Sequence, residues 1–213
     1  MVANSFAEVS RQVSFDDENL ILVDARDNVI GHDSKDNVHQ GSGLLHRAFS
    51  IFLFDGPDRV LLHRRSGQKR LWPGFWTNSC CSHPRRSENY ASAARRRLLE
   101  ELGVTAELSW LYQFQYAASY RNLGAERELC AVLIGDLERP DSVRANRNEV
   151  QEWGWFACDE VDRWVQRQPG QFTPWFLLEW SRLRGDQRAA VDRHCRRGNV
   201  QYLGGAPSSA PPG

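Results

Sequence analysis

Ser82-His83-Pro84-Arg85-Arg86-Ser87-Glu88-Asn89-Tyr90-Ala91-Ser92-Ala93-Ala94-Arg95-Arg96-Arg97-Leu98-Leu99-Glu100-Glu101-Leu102-Gly103-Val104 reads as a helix with its punctuation. Ser87 is an N-cap residue and Gly103 a stop, so a helix is predicted over 88–102. Leu98, Leu99 and Leu102 are expected to form its apolar face. An irregular loop rich in Trp, Gly and Pro, residues 66–84, leads into it.

Strand-like apolar runs lie on both sides. Residues 20–24 and 28–31 read as a hairpin, and a glycine-bearing loop follows at 39–43. Strands are predicted at 48–54 and 59–64, turning at Asp55-Gly56-Pro57-Asp58. Further strands are predicted at 110–117, 127–135 and 152–156. One helix is expected to start at 159–165, and a final one to run from Pro174 to Leu183, with proline in the first turn. Helices and strands mix without strict alternation, which points to a mixed sheet covered by helices. Residues 1–18 are expected to be a loose arm, 19–203 one domain and 204–213 a disordered Pro-rich tail.

The 213 residues carry 41% hydrophobic and 11% aromatic side chains, enough for one moderate core. A formal net charge of zero argues against a nucleic-acid or membrane-surface protein held by bulk electrostatics. No apolar run approaches membrane-spanning length, and no secretory signal is visible, so a cytoplasmic location is the default. The five cysteines lack paired CxxC spacing, which argues against a disulfide scaffold. Cys130, Cys158 and Cys195 read as small buried hydrophobes. Only two lysines, Lys35 and Lys69, stand against 25 arginines. A lysine that survives such bias hints that a compact ammonium is needed there.

Three histidines and two glutamates offer a metal-ligand set: His39, His46, His83, Glu126 and Glu128. Either of the first two histidines alone would more often be a surface or satisfied core residue. Glu126 and Glu128 share one face of a strand, so both can reach one ion. Without the histidines, that pair would read as a solvated face. Cys81 stands two residues before His83, and a thiol outside the ligand set is free to act as acid, base or nucleophile.

Residues 82–104 resemble the Nudix box, a loop-helix-loop that sets carboxylates on one helical face to hold Mg²⁺ on a diphosphate. The match falls at Glu88, Arg96, Leu98, Glu100, Glu101, Gly103 and Val104. Ser82 replaces the opening glycine and Arg97 replaces a metal-gathering glutamate. Arginine cannot bind Mg²⁺ or act as a base, but its planar donor fork can grip a diphosphate. Trp72-Pro73-Gly74-Phe75-Trp76-Thr77-Asn78-Ser79-Cys80-Cys81-Ser82-His83-Pro84 resembles the signature loop of type 1 isopentenyl-diphosphate delta-isomerases. Leu44-Leu45-His46-Arg47-Ala48-Phe49-Ser50 and Thr173-Pro174-Trp175-Phe176 match as well, and the likeness spans roughly residues 20–180.

That resemblance implies an α/β (α+β) fold, a Nudix-like mixed β-sheet sandwiched between helices. It also implies that His39, His46, His83, Glu126 and Glu128 bind one divalent metal, Mn²⁺, Mg²⁺ or Zn²⁺. Cys81, Glu128 and Tyr116 take the catalytic positions. Lys35, Arg65, Lys69, Ser82 and Arg97 take the diphosphate positions, and Glu101 that of a ligand to a second ion, Mg²⁺, arriving with the substrate. Trp175 matches a tryptophan whose ring faces the substrate's branched carbon. Arg64, Arg70, Arg95 and Arg96 read as solvated or structural. Trp153 and Trp155 are expected in the core, as is Cys80. The implied partner is a prenyl diphosphate. Two rivals are a Nudix hydrolase of a diphosphate and a non-catalytic zinc-stabilised module. Arg97 and the cysteine loop argue against the first, and the carboxylate-rich ligand set against the second.

Overall fold

The computed structural model describes residues 10–137 and 139–203, with side chains of 196–203 left aside. The chain runs β1 (Asn19–Val23), β2 (Val29–Ser34), the one-turn helix α1 (Lys35–Val38), β3 (His46–Phe54) and β4 (Arg59–Arg65). Next come β5 (Trp76–Thr77), β6 (Cys80–Ser82), α2 (Tyr90–Leu102), β7 (Leu108–Tyr120) and β8 (Gly124–Asp136). β9 (Val150–Ala157), α3 (Cys158–Arg167), α4 (Pro174–Arg184) and α5 (Arg188–Leu203) complete it.

Among the described residues, nine strands form one mixed sheet with β3 at its hub. β3 is antiparallel to β1, β4 and β6 and parallel to β8. A strand covered on both faces needs apolar side chains at every position, and Ala48-Phe49-Ser50-Ile51-Phe52-Leu53-Phe54 nearly supplies them. Ala48, Phe52 and Phe54 join a core with Trp175, Phe176 and Trp180 of α4. Phe49, Ile51 and Leu53 point the other way, into a core with Ala94, Leu98 and Leu102 of α2. The sheet is therefore sandwiched between helices. Phe52→Ala would empty the centre of one core, at a cost of about 3–5 kcal/mol.

The helix in the deciding stretch starts later than expected. Asn89, not Ser87, is the N-cap, because Ser92 can answer it. Asn89 Oδ1 accepts from the Ser92 amide at 2.9 Å, and Ser92 Oγ accepts from the Asn89 amide at 3.2 Å. Gly103 closes the helix at φ 66°. Leu99 is 60% exposed rather than core. The buried stripe of α2 is Ala93, Ala94, Arg97, Leu98, Glu101 and Leu102, so two charged residues hold places that an apolar-only reading gives to Leu99.

Other differences have local causes. The loop 66–84 contains β5 and β6, and the runs at 110–117 and 127–135 extend into the long pair β7 and β8. α5 follows the helix read as final. Trp153 and Trp155 are half-buried, because β9 pairs only with β4 at that edge of the sheet. Residues 10–18 do not hang free. Val13 is buried and its carbonyl accepts from Arg97 at 2.7 Å, while the Arg11 carbonyl accepts from Asn146 at 2.7 Å. Residues 1–9 and the tail 204–213 lie outside the described residues. Among the described residues, no helix is long and apolar enough to cross a membrane.

Candidate active site

Parallel pairing of β3 and β8 brings the starts of both strands to one end of the sheet. His46 stands in register with Glu128, and Tyr116 of β7 stands opposite Glu128 on its other side. β6 lies along β3 on its far edge, with Cys81 opposite Ser50 and Ser82 opposite Phe49, and the chain then delivers His83. α1 ends in His39. The first residue of β8 must pass close beneath it, and a Cβ on Gly124 would lie 2.3 Å from the His39 carbonyl oxygen. Gly124 also sits at φ 147°, where only glycine is at ease.

These elements gather the expected ligand set. One donor atom from each of His39, His46, His83, Glu126 and Glu128 lies within 4.8 Å of all the others. The tautomers are legible: His39 Nδ1 donates to the Lys35 carbonyl at 2.6 Å, and His46 Nδ1 to the Leu44 carbonyl at 2.8 Å. Their Nε2 atoms therefore face inward. His39 Nε2 lies 2.7 Å from Glu126 Oε2, and His83 Nε2 lies 3.1 Å from Glu128 Oε1. An imidazole lone pair facing a carboxylate needs a proton or a cation between them. His46 Nε2 and Glu126 Oε2 are buried with no hydrogen-bond partner. A divalent metal satisfies both, so the residues fit one.

Protonation follows the same logic. Burial opposes charge on His39, yet Glu126 outweighs it and raises the imidazole above its ordinary range. Burial and then His39 push His46 down to about 4; burial, His46 and His39 push His83 well down. Burial works against ionised Glu126, but His39 brings it down to about 2. Burial and then Glu126 raise Glu128 well above the carboxylate range. Tyr116, itself kept a phenol by burial, donates to Glu128 Oε2 at 2.7 Å. The two oxygens of Glu128 thus have separate roles, Oε1 toward the histidines and Oε2 toward the phenol.

A cavity of about 470 Å³ opens beside this cluster. Cys81, Ser82, Tyr116, Trp175, Lys35, Arg65, Lys69 and Arg97 all line it, as do His39, His83, Glu126 and Glu128. Burial pushes the Cys81 thiol up to about 12 against the pull of Arg65, so the group is a thiol and not a thiolate. Cys80 is fully buried on the α2 side of β6, as its structural reading requires. The loop is pinned by Asn78, which donates to the carbonyls of Ile51 and Cys80, and by Ser79, which donates to Leu61. Trp175 Nε1 donates to Thr77 Oγ1 at 3.0 Å, which fixes the indole at the wall. Arg65 is held by the carbonyls of Leu71 and Trp72 and lies 5.3 Å over the Trp175 ring. Its fork braces the loop, and Nη1 lies 3.9 Å from Cys81 Sγ.

At the other end of the cavity the cations are already engaged. Arg97 donates to Glu101 Oε1 at 2.9 and 2.5 Å and meets Glu100 and Glu149 at 3.2 and 3.3 Å. Lys69 pairs with Glu149, and Lys35 bonds Ser14. Glu101 stands behind Arg97 and is absent from the cavity wall. Both Arg97 bonds end on Oε1, so Oε2 is not taken by Arg97. Arg96 is structural, bridging Glu88 and Glu100, and Arg95 is exposed. Arg64 pairs with Glu152 and donates to the Gly74 carbonyl, and Arg70 pairs with Asp36 and donates to the Leu123 carbonyl. Glu149 and Ser14 went unread in the sequence. Their partners Lys69 and Lys35 lie 80 and 21 residues away, so no local pattern could have named them.

Comparison with known proteins agrees with this geometry. Residues 44–176 match the NUDIX domain. The chain is 45% identical over 162 residues to isopentenyl-diphosphate delta-isomerase of Serratia proteamaculans, covering 76% of this chain and 88% of that one. It is 39% identical to isopentenyl-diphosphate delta-isomerase 1 of Photorhabdus laumondii over 77% and 93% of the two chains. The solved MutT Nudix hydrolase of Burkholderia pseudomallei shares the fold, with a TM-score of 0.51 at 20% identity over 64% of this chain and 96% of that one. A Deinococcus radiodurans crystal structure gives a TM-score of 0.58 at 21% identity, over 83% and 99%. With a Nudix domain over most of its length and such relatives along it, the chain belongs to the isopentenyl-diphosphate delta-isomerase family.

Proposed function

We propose that this chain interconverts isopentenyl diphosphate and dimethylallyl diphosphate. The observation that carries the reading is one cavity holding a neutral thiol, a phenol-bonded glutamate and a fixed indole, with a cationic cluster at its other end. Moving the double bond requires a proton added at C4 and another removed at C2. An unactivated alkene is a weak base, so the acid must be held close in a site that excludes water. Cys81 and Glu128 are the two proton-transfer groups, and Tyr116 steadies Glu128 through Oε2. Charge that develops at the branched carbon meets the Trp175 face, which stabilises a cation without attacking it. Lys35, Arg65, Lys69, Ser82 and Arg97 anchor the diphosphate and so align the alkene.

His39, His46, His83, Glu126 and Glu128 would hold Mn²⁺, Mg²⁺ or Zn²⁺, whose charge would favour ionised Glu128. Glu101 would hold a Mg²⁺ that enters with the diphosphate. Incubation with isopentenyl diphosphate and Mg²⁺ separates the readings. The isomer should form; phosphate release would favour a hydrolase, and no turnover a binding module.

A further inference from the structure

Glu149 is the acidic group in the seat that the reaction above leaves without a task. It is 2% exposed, lines the cavity and touches both Lys69 and Arg97. Its place is rigid. The Glu149 carbonyl accepts from the Ser66 amide at 2.9 Å, and its own amide donates to Asn146 at 3.0 Å. Asn146 is tied in turn to the backbone of Glu100, Glu101 and Arg11. Burial opposes its charge, but Lys69 and then Arg97 hold the carboxyl down at about 2, so it is an anion at any working pH. The cations around it are crowded; burial and then Lys69 bring Lys35 down to about 8.

A carboxylate in that position has two consequences. It lets Lys69 and Arg97 stand close together in a low-dielectric site, where bare cations repel. It also faces whatever anion the cations attract. The other acids at the wall of this end are engaged or solvated: Asp36 pairs with Arg70 at the rim, and Asp16 is exposed. A bare diphosphate would have to approach Glu149 as like charge against like. A diphosphate that carries a divalent cation would not, because a hard cation accepts carboxylate and phosphate oxygens together.

We propose that Glu149 makes the seat selective for a diphosphate carrying its divalent cation over the bare anion, by repelling the latter. Glu149 is then a specificity-determining residue, and its effect is exclusion of the wrong ligand form. The inference rests on the diphosphate seat of the reading above.

Calorimetric titration with inorganic diphosphate tests it, using protein loaded at the histidine pocket, with and without added Mg²⁺. Wild type should bind at least about tenfold more tightly with Mg²⁺, the scale of a like-charge contact. Glu149→Gln should bind metal-free diphosphate about tenfold more tightly than wild type, so its Mg²⁺ effect should shrink by that factor, the share held through Glu101 remaining. Equal loss of affinity in both conditions, or an unchanged Mg²⁺ effect, would overturn the proposal. Lys69→Met tests it independently of how Glu149→Gln folds. It leaves Glu149 less neutralised, so the Mg²⁺ effect should grow; an unchanged or smaller effect overturns the proposal. Isomerisation by wild type is scored separately. The expected binding ratios without turnover would sink the reaction and spare Glu149, whereas turnover with a Mg²⁺ effect that ignores Glu149→Gln would sink Glu149 alone.

Discussion

At the histidine pocket, His39 Nε2 and Glu126 Oε2 lie 2.7 Å apart and need a proton or a cation between them, and His46 Nε2 has no hydrogen-bond partner. At the diphosphate seat, Arg97, Lys69, Glu101 and Glu149 are buried or half-buried and already paired with one another. The first arrangement is incomplete without a cation. The second is already paired within itself, and a ligand must compete with its internal ion pairs. Metal should therefore stabilise the protein strongly. Diphosphate should act mainly on alignment.

Cys81 lies beside both ends and should show the largest effect. Cys81→Ser should lower isomerisation by about a thousandfold or more, because a hydroxyl is a poorer acid than a thiol. Cys80→Ser, on the α2 side of the sheet, should stay near wild type in turnover. Equal losses in the two variants would show that the loop, not the thiol, matters. Next, His46→Ala should lower activity by at least about a hundredfold, since even groups that only orient ligands cost 10–100-fold. Metal content should fall below half an equivalent in that variant, as plasma emission would show. Full activity without metal would break the contrast between the two ends.

Arg97→Ala sharpens the other side. It strands Glu101 as a buried, uncompensated charge and leaves Glu149 with Lys69 alone, so it should cost about 3–5 kcal/mol of stability. The kcat/KM should fall roughly ten- to a hundredfold. Arg95, which is exposed, is the control: Arg95→Ala should change stability by less than about 0.5 kcal/mol. If thermal unfolding of the two variants coincides, the seat is not the tight network described.

The smallest effect is in protons. In the metal-free pocket His39 and Glu128 are raised and so keep their protons to higher pH than usual, whereas His46 and His83 are depressed. A metal must displace the held protons, so affinity should rise with pH through the imidazole range. Calorimetry of Mn²⁺ binding in buffers of different ionisation enthalpy should show release of about one proton or more at neutral pH. Proton uptake would contradict the assignment.

The two ends also differ in how well the sequence announces them. Alone, each histidine is ambiguous, but the loop around Cys81 is specific enough to name its family. The five residues read as a ligand set lie together. The sequence marks the seat as Lys35, Arg65, Lys69, Ser82 and Arg97 with Glu101 as its acid, and misses Glu149. Its ties come from afar: Glu149 meets Lys69 80 residues away, Arg97 bonds Val13 and Asn146 bonds Arg11, 84 and 135 residues apart. No local period carries such pairs. The same blindness put Leu99 in the core of α2, because nothing local says that Arg97 and Glu101 will be buried. Serine and asparagine are equally good N-caps by type, and only the reply from Ser92 favours Asn89 over Ser87.

The most direct measurement is magnetic resonance of isopentenyl diphosphate incubated with metal-loaded wild type in deuterated water containing Mg²⁺. Dimethylallyl diphosphate should appear with deuterium in its new methyl group, while the phosphorus signals keep a diphosphate pattern throughout. Release of inorganic phosphate, or no new product from protein shown to hold its metal, would contradict the proposed isomerisation.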